Sequence, residues 1–248
     1  MRIGILGTGH IGATLVKRFS AGGHDVKVAN SRGPHTIEAG LLASGARAVT
    51  KEEAVRDVEV IILSIPLNRI PDIAPLIATV PQDTVIIDTS NYYPARDGKI
   101  EPIEAGQVES LWVVDQIGHP VVKAWNAIGA ASFANKAKPA GAPGRIAIPV
   151  AADRDGDRRV AMSLVEDSGL DAVDAGSLAE SWRQQPGSPV YCTDLSRDEV
   201  PPALAAAEKA RLPARRDLVL AVVMERAGDD MTNLEPEFLP RLNRAIFQ

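Results

Sequence analysis

The sequence predicts an α/β fold built on a doubly wound, mostly parallel sheet, and three observations predict it. Short apolar, β-branched runs recur from Arg2 to Val173, as strands covered on both faces require. Between several of them lie segments whose apolar residues keep helical spacing. The first run ends in Gly7-Thr8-Gly9-His10-Ile11-Gly12, a glycine pattern at the junction of a strand and a helix. Such alternation produces parallel crossover units, and the glycine turn makes the arrangement Rossmann-like.

Taken in order, Arg2 to Leu6 reads as a buried first strand stopped by Gly7. Ile11, Leu15, Val16 and Phe19 then share one helical face, which Gly22-Gly23 terminates. Asp25 to Ala29 is a second strand, and Arg47 to Val49 a short third. Thr50 to Glu53 spells a capping box, with Glu53 reaching back to the start of a short helix. Val58 to Ile65 is a fourth, central strand that Pro66 ends. A helix over Ile70 to Ile77 follows, with Pro71 and Pro75 disturbing its start. Thr84 to Asp88, Val121 to Trp125, Arg145 to Val150 and Asp171 to Val173 supply the remaining strands, and Gly156 to Ser168 another helix. Lys136 to Gly144 reads as an Ala/Pro-rich loop. Beyond Ala179 periodicity fades as far as Val200, and Pro201 to Gly228 is helical with interruptions.

This divides the chain into a nucleotide-binding domain, 1–178, and a C-terminal helical arm, 179–248. The arm is too small for an independent core, so it is expected to close the substrate pocket, pack on a second subunit, or both, giving a homodimer.

Composition narrows the partners. Of 248 residues, 45% are hydrophobic and 24% charged, enough for a packed core. Only 4% are aromatic and the formal charge is −5, which argues against a nucleic-acid partner. No apolar run approaches the roughly 18 residues of a membrane helix. Glycines arrive too early at the N-terminus for a secretory signal, so a cytoplasmic protein acting on a small molecule is expected. Cys192 is the single cysteine, and the four histidines lie far apart, so no metal site is expected.

The glycine loop carries the first functional reading. Gly7 permits the tight turn, Gly9 lets a pyrophosphate approach the backbone, and Gly12 lets helix and strand pack closely. The free N–H groups at the helix start supply the anion site. Selectivity is read at the end of the second strand, where NAD-preferring sites place Asp or Glu on the ribose hydroxyls. Asn30, Ser31 and Arg32 stand there instead. No carboxylate repels a phosphate, Arg32 can pair with one, and Ser31 and the Gly33 amide can donate to it. The cofactor predicted is NADP(H). Ser64, Ile65 and Pro66 end the fourth strand on the edge where open α/β sheets bind ligands, and Asp88 and Thr89 end the fifth.

His10, inside the loop, is a candidate for pyrophosphate or substrate contact. Lys123, at an alternating strand position, is either a proton donor or simply half-exposed. His119, before Pro120, reads as structural. Trp182, Tyr191 and Cys192 either cover the pocket opposite the nicotinamide or anchor a subunit interface. Cys192 has no nearby histidine and reads as inert. Arg215, Arg216 and Arg226 read as solvated helix charges.

The glycine loop, the Asn30-Ser31-Arg32 turn, Leu63-Ser64-Ile65-Pro66, the run from Val122 to Asn135 (VKAWNAIGAASFAN) and Val173 to Leu178 (VDAGSL) together resemble the NADP-dependent coenzyme F420 oxidoreductase family. The same domain is similar to the cytoplasmic part of the STEAP metalloreductases. The resemblance spans roughly residues 1 to 180. It implies direct hydride transfer between NADP(H) and coenzyme F420 or a flavin, with the protein supplying position rather than acid or base. It also implies that Thr8 lies near the reacting rings and that Asn126, Ala127, Ile128 and Ala130 line the nicotinamide and acceptor pocket. Archaeal deazaflavin enzymes tend to carry His where Asn126 stands, and the metalloreductase-like branch carries Asn. Two further readings stay open: reduction of a small carbonyl or imine, with Lys123 or His10 as proton donor, and a non-catalytic NADP sensor.

Overall fold

A computed structural model of the protein describes residues 1–228, 230 and 233–248. Eight strands form one sheet: β1 (Arg2–Leu6), β2 (Asp25–Ala29), β3 (Arg47–Ala48), β4 (Val60–Leu63), β5 (Val85–Asp88), β6 (Val122–Lys123), β7 (Ala147–Ala152) and β8 (Asp171–Asp174). Their spatial order is β3-β2-β1-β4-β5-β6-β7-β8. Pairing is parallel throughout except between β6 and β7. The order reverses between β1 and β4, where Leu6 sits opposite Leu63. The glycine turn and the end of β4 therefore face each other across the switch-point crevice.

The central strands are apolar on both faces because both faces are covered. Ile3, Ile5, Val60, Ile62, Val85 and Ile87 join one core with Leu15, Val16 and Phe19 of the helix His10–Ala21 and with Leu164 and Val165 of the helix Asp155–Asp167. The alternate positions Leu6, Ile61, Leu63 and Ile86 join the other. That second core includes Ile70 and Ile77 of the helix Ile70–Ile77 and Trp112, Val113 and Ile117 of the helix Glu109–Ile117. Period-two alternation along the strands thus assigns side chains to two separate layers.

β1, β2 and the helix Ile70–Ile77 fall where the sequence placed them, and the Thr50–Glu53 capping box is present. Two strands differ. The sixth shrinks from the expected five-residue run to Val122–Lys123, because Trp125 adopts φ 55°, outside the extended region. The seventh shifts to Ala147–Ala152, because Arg145 is drawn into ion pairs with Glu166 and, at 2.6 Å, Asp171.

The arm finds apolar partners within this chain. Tyr191, Cys192, Val219 and Val223 of the helix Leu212–Ala227, and Phe247 of the helix Phe238–Phe247, cluster on Ala127. Val190, Leu195, Val200 and Ala203 pack on Ala147 at the start of β7. Arg216 is also buried, 9% exposed, with its guanidinium over the Tyr92 ring, so it is not the solvated charge expected.

Candidate functional site

The fold requires two of the three loop glycines, and leaves the third open. Gly7 has φ 113°, and a Cβ there would stand 2.1 Å from the Ser64 carbonyl oxygen. A Cβ on Gly12 would stand 2.3 Å from the Gly7 carbonyl oxygen. At Gly9, φ is an ordinary −67° and a Cβ would meet nothing within 4 Å. Nothing in the fold demands glycine at position 9, and its exposed backbone is left open to a ligand. Gly9 is also the N-cap of the helix His10–Ala21, which has no side-chain cap and no acid in its first turn. Its first N–H groups remain available to an anion.

The end of β2 is held by a small side-chain network. Asn30 Oδ1 accepts from the Arg32 amide at 3.0 Å, an Asx-type turn, while Asn30 Nδ2 donates to Thr36 Oγ1 at 2.9 Å. Thr36 Oγ1 donates in turn to the Gly33 carbonyl at 2.8 Å. Gly33 completes the turn at φ 94°. Asn30 is thereby a positioning residue. Ser31 and Arg32 project as exposed side chains, and among the described residues Arg32 enters no ion pair.

These pieces line one cleft of about 770 Å³. Gly7, Thr8 and Gly9 contribute from the glycine turn, Asn30 to Gly33 from the end of β2, and Ser64, Ile65 and Pro66 from the end of β4. Thr50, Lys51, Glu52, Arg69 and Asp72 join them, which sequence reasoning had not included. The signal for Lys51 was present: the capping box places it at the opening of a helix just after β3. Arg69 lies in the one-turn 3-10 segment Leu67–Arg69 that Pro66 starts, and carries no motif. Arg69 pairs with Asp72 at 3.0 Å and Lys51 approaches Glu52 at 3.9 Å, so three cations with Arg32 face two carboxylates. Both pairs are exposed and weak.

An NADP(H) fits this donor set. The open Gly9 backbone and uncapped helix start suit a pyrophosphate, and the carboxylate-free turn presenting Arg32 suits a 2′-phosphate.

The remaining expected site residues lie elsewhere. His10 is exposed on the helix start but does not line the cleft. Lys123 is not half-exposed: it is fully buried, with Nζ donating to Asp88 Oδ2 at 2.7 Å and to the Ser90 carbonyl at 2.5 Å. Asn126, 2% exposed, donates both amide hydrogens, to Asn91 Oδ1 at 3.1 Å and to the Gln184 carbonyl at 2.8 Å. Gln184 Nε2 returns a bond of 2.8 Å to Asn126 Oδ1. This interlock ties the segment after β6 to the arm. Ala127 accepts the Cys192 amide, Ile128 sits in the core, and Ala130 begins the helix Ala130–Lys136. Tyr191 hydrogen-bonds Tyr93, hydroxyl to hydroxyl at 2.9 Å, inside the arm's own core, and Trp182 is half-buried beneath the Arg183 guanidinium. His119 is structural, its ring nitrogens lying 2.9 and 3.3 Å from the Pro120 and Pro81 carbonyls.

Behind the ends of β5 and β6 lies Glu109, buried beside the Asp88–Lys123 pair with Tyr92's amide on its carboxylate at 3.2 Å. Burial pushes its pKa up to about 7, against the pull of Lys123. No group of His, Cys, Asp and Glu among the described residues is arranged to hold a metal, and no helix there is long and apolar enough to cross a membrane.

A doubly wound sheet with a glycine-turn cleft at its switch point defines a dinucleotide-binding Rossmann protein. Residues 2–92 match the family described as NADP oxidoreductase, coenzyme F420-dependent. The match contains every cleft-lining residue and stops short of the segment 122–135. Escherichia coli (strain K12) protein YjhV is 46% identical over 80 residues, which cover 31% of this chain and 58% of that protein. The chain thus spans a little over half of that curated relative. Among solved structures, hypothetical protein SMa0349 from Sinorhizobium meliloti is 28% identical with TM-score 0.66, covering 79% of this chain and 95% of that one. A candidate F420-dependent NADP-reductase from Arthrobacter sp. FB24 shares the fold at 18% identity and TM-score 0.57, covering 73% and 87%.

Proposed function

We propose that the protein is an NADPH-dependent reductase that passes hydride to coenzyme F420 or a flavin-type acceptor. The observation that carries the cofactor is Arg32, exposed and in no ion pair among the described residues, on a turn that Asn30 and Thr36 hold in place. The family matched by residues 2–92 supports the acceptor class. When bound, the dinucleotide supplies the hydride. The chain's own residues then bind and orient: backbone N–H groups from Gly9 onward take the pyrophosphate, and Arg32 and Ser31 take the 2′-phosphate. Thr8, Ser64 and Ile65 border the cleft on the side of the strand ends. Lys123 is locked between Asp88 and Ser90, and His10 lies off the cleft, so neither proposed proton donor stands at the site. Hydride transfer leaves a ring acceptor as a delocalised anion that solvent can protonate, whereas a carbonyl or imine calls for a positioned acid, which favours the ring acceptor.

The test is a titration of the protein with NADPH and NADH, for wild type and Arg32→Ala, followed by turnover with deazaflavin and flavin. Loss of about 1.5–3 kcal/mol for NADPH alone is expected, the value of a charge-assisted hydrogen bond. Equal affinities untouched by the substitution would overturn the cofactor. Binding without turnover of either acceptor would overturn the acceptor class.

A further inference from the structure

A second cavity, about 170 Å³, lies in the arm and shares no lining residue with the nucleotide cleft. Its wall is apolar, from Val219, Val223, Leu239 and Phe247, and three polar groups interrupt it. Asn243 is wholly buried; its Nδ2 donates to the Tyr191 and Cys192 carbonyls at 3.0 and 3.3 Å, while its Oδ1 has no partner among the described residues. Arg216 is nine-tenths buried, and Asp217, bonded to Nε at 2.7 Å, is its one hydrogen-bond partner among the described residues. The third is the Tyr93–Tyr191 hydroxyl pair, in which one O–H proton is spent on the other oxygen and one is left to donate.

A buried acceptor without a donor is costly unless something satisfies it, and a guanidinium with one hydrogen-bond partner keeps N–H donors to spare. The two groups line the same small space, so one molecule can reach both. Its volume is below the roughly 300–1,000 Å³ of pockets for drug-sized ligands, and a tricyclic ring system is too large for it. We infer that this pocket binds a small carboxylic acid with a compact apolar body and a hydroxyl or amino group beside its carboxylate. The carboxylate meets Arg216 and the free tyrosine O–H. The neighbouring O–H or N–H meets Asn243 Oδ1, and the apolar body lies along Val223, Leu239 and Phe247. Burial holds the Tyr191 phenol well above its ordinary pKa, so the pair remains a donor at neutral pH. The inference does not depend on which nucleotide the other cleft takes.

The experiment is calorimetric titration of the full chain with L-leucine and 2-hydroxy-4-methylpentanoate. Two controls are leucinamide, which lacks the carboxylate, and 4-methylpentanoate, which lacks the second group. At least one of the first two is expected to bind, with each control at least tenfold weaker. Arg216→Gln should abolish the preference for leucine over leucinamide, and Val223→Phe, which fills the cavity, should abolish binding altogether. Circular dichroism and an unchanged melting midpoint establish that each variant is folded. If neither acid binds, or if the controls bind equally well, or if folded Val223→Phe binds as wild type does, the inference fails.

Discussion

Lys123 Nζ lies 2.7 Å from Asp88 Oδ2, and both side chains are completely buried at the adjoining ends of β6 and β5. Asp88 Oδ1 also accepts the Ser90 amide at 3.0 Å, so the pair fixes the loop that leaves β5. Removing one partner strands a buried charge, which costs about 3–5 kcal/mol, whereas removing both is far cheaper. Lys123→Met and Asp88→Asn are each expected to lower unfolding free energy by that order, and the double variant by less than either. Urea denaturation of the three proteins measures this. Additive losses would show that the pair is not coupled.

Glu109 should make stability fall as pH rises toward neutrality. Its carboxyl has a folded pKa of about 7, raised chiefly by burial, against an ordinary value of 4.5. Because the folded state holds the proton more tightly, this contribution is fully present below the unfolded value and disappears as pH rises through about 7. The interval corresponds to roughly 3 kcal/mol at 1.36 kcal/mol per pKa unit. Glu109→Gln keeps an acceptor for the Tyr92 amide and does not titrate. Its stability relative to wild type is expected to rise between pH 4 and pH 8 by that order, then level off. A difference independent of pH would show that Glu109 ionises normally.

Much of the nucleotide half was legible because its signals are local. A strand's apolar run, a glycine turn and a capping box each lie within a few consecutive residues, and β1, β2 and the Thr50–Glu53 box fall where expected. The fates of Lys123 and Asn126 were not legible, since they depend on partners far along the chain. Lys123 is set by Asp88, and Asn126 by Gln184, which itself sits in a stretch without periodicity. The helix Glu109–Ile117 was missed, although Val108, Trp112 and Val113 keep helical spacing and Gly118 closes it at φ 63°. Arg216 reads as a surface charge until the arm folds it onto Tyr92.

The turn after β2 predicts a selectivity effect without a contact. Thr36 bonds Asn30 and the Gly33 carbonyl, and its residue number lies outside any motif. Thr36→Val removes the hydroxyl while keeping the shape, leaving Asn30 and the Arg32 backbone less constrained. NADPH affinity is expected to fall by about 1 kcal/mol, the net value of a hydrogen bond, with NADH affinity changed less. Equal losses for both nucleotides would mean that the turn does not govern the 2′-phosphate.

The glycine loop offers the sharpest separation of folding from binding. At Gly7 a methyl group collides with the Ser64 carbonyl and the backbone is at φ 113°, so Gly7→Ala is expected to destabilise the fold. At Gly9 the backbone is ordinary and a methyl group meets nothing within 4 Å, so Gly9→Ala should melt where wild type does. That methyl group would nevertheless stand where the pyrophosphate must approach, and NADPH affinity should fall at least tenfold, or about 1.4 kcal/mol. Thermal melting and nucleotide titration on the same two preparations read both quantities. If Gly9→Ala binds NADPH as wild type does, the pyrophosphate does not lie on this turn, and the cleft must be read in another way.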